Sequence, residues 1–212
     1  MFDCDGLLLE TESRWTLAEQ TLCDRWGVPF STELKRRLLG THLDRAGTTL
    51  AEWFGQPPDQ GPAQAAALIA AYRDAVDEHG VEPMPGALDL VAGLAGRLPV
   101  AVASNTNIAD TLRVLTRSTL PHEAFDSIVC AGGDIAPKPA PDVYLAACAA
   151  LGAEPARTIA FEDSPVGADA ARAAGLFVIG VPSTPGSEPV ADLLIASLAD
   201  VDAAAVLDGI IN

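Results

Sequence analysis

Four short clusters of residues carry side chains that suit one chemistry. Asp3 and Asp5 stand either side of Cys4, Ser104 and Asn105 are adjacent, Lys138 lies between Pro137 and Pro139, and Glu162, Asp163 and Ser164 are consecutive. Carboxylates are hard oxygen ligands for a cation such as Mg²⁺, while a hydroxyl and an ammonium bind phosphoryl oxygens. Brought together, the clusters would hold Mg²⁺ and a phosphoryl group side by side. The lysine is the most telling member. Only Lys35 and Lys138 occur, against eleven arginines, so a lysine set between two prolines points to a compact point charge wanted on a stiffened backbone.

Each cluster has a plainer reading when taken alone. Asp-x-Asp in an acidic chain is often a solvated turn. Asn107, with Asp110 three residues on, could cap a helix. Ser164 and Pro165 could likewise be the N-cap and first residue of another. Position separates the readings, because every cluster follows an apolar run and the clusters occur in a fixed order.

Two kinds of element would have to position these residues. From Pro85 onward, apolar runs at Leu98–Ala103, Ser127–Ala131, Thr158–Phe161 and Leu176–Val181 alternate with helical patterns near Ala87–Gly96, Ile108–Thr116, Asp142–Leu151 and Val166–Ala174. This alternation predicts an α/β fold, a parallel sheet with helices on both faces, whose ligands gather at the carboxyl ends of the strands. From about Glu12 to His79 the apolar spacing is helical instead, through Trp15, Leu22, Leu34, Leu38 and Ala65 to Tyr72. Breaks fall at Gly27-Val28-Pro29 and Gln56-Pro57-Pro58.

Composition narrows the function classes. The 212 residues are 49% hydrophobic, enough for a sizeable core, which excludes disordered and collagen-like chains. A net charge of −16 with no basic run argues against a nucleic-acid or anionic-membrane partner and leaves a small molecule. No apolar run approaches the roughly 18 residues of a membrane span, and the N-terminus lacks a signal-peptide pattern, so a cytoplasmic location is expected. Cys4, Cys23, Cys130 and Cys148 are scattered, as befits reduced and mostly buried thiols. The oligomeric state is not legible.

Together the clusters resemble the four motifs of the haloacid dehalogenase superfamily of phosphohydrolases. Phe2-Asp3-Cys4-Asp5-Gly6 is similar to the first, Val102-Ala103-Ser104-Asn105 to the second, and Lys138-Pro139-Ala140-Pro141-Asp142 to the third. Phe161-Glu162-Asp163-Ser164 with Gly167 is similar to the fourth. The resemblance spans nearly the whole chain and points to the subgroup with a small helical cap that includes β-phosphoglucomutase and sugar phosphatases. It implies a Rossmann-like catalytic core from residues 1–11 and 81–212, with a helical cap at residues 12–80.

Carried over to this sequence, the resemblance implies a Mg²⁺-dependent phosphatase of a small phosphorylated metabolite. Asp3 would be the nucleophile that forms an aspartyl phosphate, and Asp5 the acid and base. Mg²⁺ would be held by the Asp3 carboxylate, the Asp5 backbone carbonyl and Asp163, with Glu162 as a further or supporting ligand. Ser104, Asn105 and Lys138 would bind the phosphoryl oxygens. In the cap, the run Gly40 to Arg45 resembles the loop that reaches the family's site, and Arg45 is the candidate substrate contact. β-Phosphoglucomutase-type transfer is the alternative, disfavoured because Trp15 stands where that enzyme tends to have His and because the run Asn105-Thr106-Asn107 after Ser104 lacks the Lys that the mutase uses on a second phosphate. A phosphoacceptor switch or a catalytically silent scaffold is more remote.

Two departures from the family pattern stand out. Glu10 occupies a position that is more often Asp. Only Met1 and Phe2 precede the nucleophile, where a buried central strand of about five or six residues is usual. The expectation is therefore that the native chain begins upstream, or that the chain as it stands is impaired, with a cationic Met1 amine close enough to compete with Mg²⁺ for Asp3.

Overall fold

The structure is a computed structural model in which residues 1–39, 41–183 and 188–207 are described. The chain forms two compact units, Met1–Thr11 with Val81–Asn212, and Glu12–Gly80.

The discontinuous unit is built on parallel strands β1 (Ala101–Ser104), β2 (Ser127–Cys130), β3 (Ile159–Glu162), β4 (Phe177–Gly180) and β5 (Leu193–Leu194). β1 pairs with β2 on one side, and β3, β4 and β5 pair in that order on the other. The Met1–Asp3 segment joins the two halves. Phe2 bridges to Val102 and to Phe161, both in parallel. Its N–H donates to the Ala101 carbonyl at 2.9 Å and its carbonyl accepts from Ala103 N–H at 2.8 Å. On the other side, Asp3 N–H donates to the Phe161 carbonyl at 3.1 Å.

The amine at Met1 is placed otherwise than the sequence suggests. It donates to the Ile159 carbonyl at 2.7 Å, at the end of the segment away from Asp3. Burial pushes its pKa down to about 5, so it is neutral near pH 7 and does not compete for the nucleophile.

Helices α5 (Ala87–Leu94), α6 (Ile108–Thr116), α7 (Asp142–Leu151), α8 (Pro165–Ala173) and α9 (Ala203–Leu207) complete this unit. The period of two along each strand sends Met1, Ala101, Ala103, Ala160 and Val178 into one core with Val143, Tyr144 and Ala147 of α7 and Ala168, Ala170 and Ala171 of α8. Alanines on both sides of this layer let the helices lie close to the sheet. Phe2 and Phe161 point to the opposite face, where their rings stack 4.9 Å apart. Burying a side chain of this size is worth roughly 1.5–3 kcal/mol, which helps to hold so short a central segment.

The α/β prediction holds, with shifts at strand starts. The run expected from Leu98 becomes a strand only at Ala101, because Leu98 is exposed and Val100 N–H is taken by the Asp126 carboxylate at 2.9 Å. The two cap readings also hold: Asn107 accepts from Asp110 N–H at 3.1 Å and Ser164 from Gly167 N–H at 3.1 Å. A helix cap and a place in a site are compatible, since both occur where a strand ends and a helix begins.

The other unit consists of α1 (Glu12–Trp26), α2 (Thr32–Leu38), α3 (Leu43–Trp53) and α4 (Gly61–His79), with α4 packed against both α1 and α3. Trp15 stacks on Tyr72 with centroids 3.9 Å apart. Lys35 is bonded to Glu19 at 3.0 Å and to Glu12. No described helix is long and apolar enough to cross a membrane. The four cysteines are free, and all but half-buried Cys130 are buried.

Candidate active site

The carboxyl ends of Met1–Asp3, β1 and β3 meet at one lysine. Lys138 Nζ donates to Asp3 Oδ1 at 2.6 Å, to Glu162 Oε1 at 2.6 Å and to the Ala103 carbonyl at 2.8 Å. Those three bonds use every N–H of the ammonium. Side-chain exposure is 4% for Lys138 and 0% for Glu162, so neither charge is solvated. Burial disfavours the ammonium, but Asp3 and Glu162 outweigh it and hold its pKa well above the ordinary range. Lys138 is a fixed cation.

The backbone of Lys138 is fixed as well. Its N–H donates to Asn105 Oδ1 at 2.7 Å and its carbonyl accepts from Asn105 Nδ2 at 3.2 Å. The Asn105 amide thus braces Lys138 with Oδ1 and one of the two Nδ2 protons. Ser104, buried at the end of β1, accepts from Thr106 N–H at 3.0 Å. That bond orients its hydroxyl beside the residue whose carbonyl holds the ammonium.

Asp3, Glu162 and Asp163 each offer a carboxylate oxygen within 4.8 Å of the others. Three carboxylates against one ammonium leave an excess of two negative charges in a largely buried place. Like unit charges 4 Å apart repel by about 4 kcal/mol at an effective dielectric of about 20, and a divalent cation held by the cluster would relieve that repulsion. Hard oxygen donors at this spacing fit Mg²⁺. Glu162 has only Oε2 to contribute, because Oε1 accepts from Lys138 and from the Tyr144 hydroxyl. Burial first, and then the neighbouring carboxylates, push the pKa of Asp3 well up despite Lys138. Burial likewise raises Asp163 to about 6, opposed by the hydroxyl of Ser183, which donates to its Oδ2 at 2.6 Å.

Asp5 is held apart from that cluster. Its Oδ2 accepts from Thr106 Oγ1 at 2.8 Å, and Thr11 bonds to it as well. Burial raises its pKa more than these bonds lower it, which favours a carboxyl able to give a proton. Gly6 follows at φ +85°, a left-handed backbone that glycine adopts without strain. A Cβ there would also overlap Asp163 Oδ2. Gly167 has a similar duty in α8, where a Cβ would overlap the Glu162 carboxylate.

In the helical unit, Arg45 is exposed on the first turn of α3, and Gly40 of its loop lies outside the described residues. A cavity of about 240 Å³ in that unit is lined by Glu12, Trp15, Glu19, Thr41, Leu43 and Leu68, among others.

Three contacts escape the motif reading. Ser183 follows β4, and the strand-end rule applied to the Leu176–Val181 run would have found it. Thr106 directly follows the second cluster. Tyr144 gives no signal at all, because an aromatic at helical spacing in Asp142–Leu151 reads as core.

A family model described as haloacid dehalogenase-like hydrolase matches residues 1–175. Validoxylamine A 7'-phosphate phosphatase of Streptomyces hygroscopicus subsp. limoneus is 31% identical over 207 residues, 95% of this chain and 94% of that protein. A fructose-1-phosphate phosphatase of Escherichia coli (strain K12) is 31% identical over 181 residues, 85% of this chain and 94% of that protein. Among solved structures, CbbY from Rhodobacter sphaeroides in complex with phosphate has a TM-score of 0.79 at 30% identity, covering 98% of this chain and 97% of that one.

Proposed function

The chain belongs to the haloacid dehalogenase-like hydrolase family, and on that premise we propose that it hydrolyses a small phosphomonoester, a sugar phosphate or related polyol phosphate, with Mg²⁺. One observation carries the reading: the Lys138 ammonium is bonded at once to Asp3 and Glu162, so residues from three motifs converge on a carboxylate cluster that includes Asp163 of the fourth. Similarity to phosphatases of two sugar-like phosphates supports the substrate class.

The carboxylates of Asp3 and Asp163, the Asp5 backbone carbonyl and Glu162 Oε2 are the proposed Mg²⁺ ligands. When bound, the cation supplies charge neutralisation that lets an anionic nucleophile approach an anionic phosphoryl group. Lys138 fixes the Asp3 carboxylate through Oδ1. An Asp3 oxygen attacks phosphorus, the bond to the ester oxygen breaks, and protonated Asp5 gives its proton to that leaving oxygen. Asp5, now a carboxylate, takes a proton from water as the water attacks the aspartyl phosphate, returning Asp3 and releasing phosphate. Lys138 by its charge and Ser104 by its hydroxyl stabilise the equatorial oxygens in both steps. The helical unit is the proposed cap, and Arg45 a substrate contact.

The test is phosphate release from a panel of sugar phosphates, nucleotides and short-chain phosphates, with Mg²⁺ and with excess chelator. Release in Mg²⁺ alone supports the reading; no release from any ester, or release unaffected by chelation, contradicts it. Arg45→Ala should raise KM for the preferred ester, and an unchanged KM would remove Arg45 from the site.

A further inference from the structure

Tyr144 lies outside all four motifs, yet its hydroxyl ends on the carboxylate that anchors the Lys138 ammonium. It stands in the first turn of α7 with its side chain fully buried. The hydroxyl donates to Glu162 Oε1, the same oxygen that accepts from Lys138 Nζ at 2.6 Å. The Tyr144 ring also lies 4.9 Å from that nitrogen. One side chain therefore touches both members of the ion pair.

The donor count shows what the hydroxyl does. Glu162 is fully buried, and its Oε2 accepts a long bond of 3.4 Å from Ser164 Oγ. Lys138 has no fourth N–H to give. A buried carboxylate stripped of a donor costs more than the lost bond, so without the hydroxyl Glu162 would draw the ammonium toward itself. The partner that loses is Asp3.

We infer that Tyr144 is a positioning residue: by supplying Glu162 with a second donor, it keeps the Lys138 ammonium shared with Asp3, which fixes the nucleophile and keeps the cation where a phosphoryl oxygen binds. The inference rests on the hydrolase reading above. It makes Glu162 primarily the anchor of Lys138, and Tyr144 the residue that limits how strongly that anchor pulls.

The experiment is a double-mutant cycle. Tyr144→Phe is made in the wild-type chain and in Glu162→Gln, retaining the ring and removing only the hydroxyl. Three quantities are measured: kcat and KM for p-nitrophenyl phosphate in Mg²⁺, affinity for inorganic phosphate by calorimetry, and melting temperature. In the wild-type background, kcat/KM should fall about tenfold or more and phosphate affinity about threefold or more, with cooperative unfolding retained. In the Glu162→Gln background the same change should alter either quantity by less than about twofold, because the pull it restrains is gone. Wild-type values in Tyr144→Phe, or equal losses in both backgrounds, would overturn the proposal. If the wild-type chain releases no phosphate, the hydrolase reading fails by itself, and phosphate affinity still decides the role of Tyr144.

Discussion

Lys138 connects more of the site than any other residue. Its rarity in the composition singled it out, and its three bonds explain the choice: a compact ammonium can serve two carboxylates and a carbonyl where a planar guanidinium could not. Lys138→Met should leave Asp3 and Glu162 buried with no counter-charge. Removing one partner of a buried pair costs about 3–5 kcal/mol, so the urea midpoint should fall sharply and Mg²⁺ should restore part of the loss. An unchanged midpoint would mean that the pair is not buried as described. The residue types at the site were legible because chemistry limits which side chains can hold a cation and a phosphoryl group. Their partners were not. Tyr144 meets Glu162 across 18 positions and Thr106 meets Asp5 across 101, and no local pattern encodes such contacts.

At the scale of elements, the helices were the most legible. α6 and α7 run over Ile108–Thr116 and Asp142–Leu151, the ranges their apolar periodicity suggests. The Met1–Asp3 segment was the least legible, because two residues carry no periodicity and their pairing is supplied by β1 and β3. β5, with two residues, was invisible for the same reason. The junction of β3 and α8 offers a test of element packing. Ser164 caps α8 while Gly167, one turn on, lets the helix lie against Glu162. Gly167→Ala should push a methyl group into that carboxylate, lowering stability by about 1–3 kcal/mol and turnover with it. Thermal unfolding and phosphate release measure both effects; a variant equal to wild type in both would show that the helix does not press on Glu162.

For the whole molecule, the sequence marks a helical stretch and an α/β stretch, and the chain forms two compact units, Glu12–Gly80 and the remainder. The identity of the ester was not legible, since the four motifs handle the phosphoryl group and not what it is attached to. A net charge of −16 repels phosphorylated substrates at long range, so capture must depend on local charge, and added salt should lower KM by screening that repulsion. The choice between hydrolysis and transfer within a sugar can be tested with β-glucose 1-phosphate. Free phosphate is the expected product, because transfer needs a grip on two phosphates and the run Asn105-Thr106-Asn107 directly after Ser104 holds no Lys. Glucose 6-phosphate accumulating under a bisphosphate primer would establish a mutase instead.

The central claim is that Asp3 takes the phosphoryl group while Lys138 holds its carboxylate. Phosphate release by Asp3→Asn, measured beside wild type in Mg²⁺ on the best ester of the panel, tests it most directly. Asparagine keeps the shape and removes the nucleophilic charge, so the variant should stay folded, as circular dichroism will show, and turnover should fall below a few per cent. A folded variant that keeps more activity than that would contradict the account, because the nucleophile would then lie elsewhere.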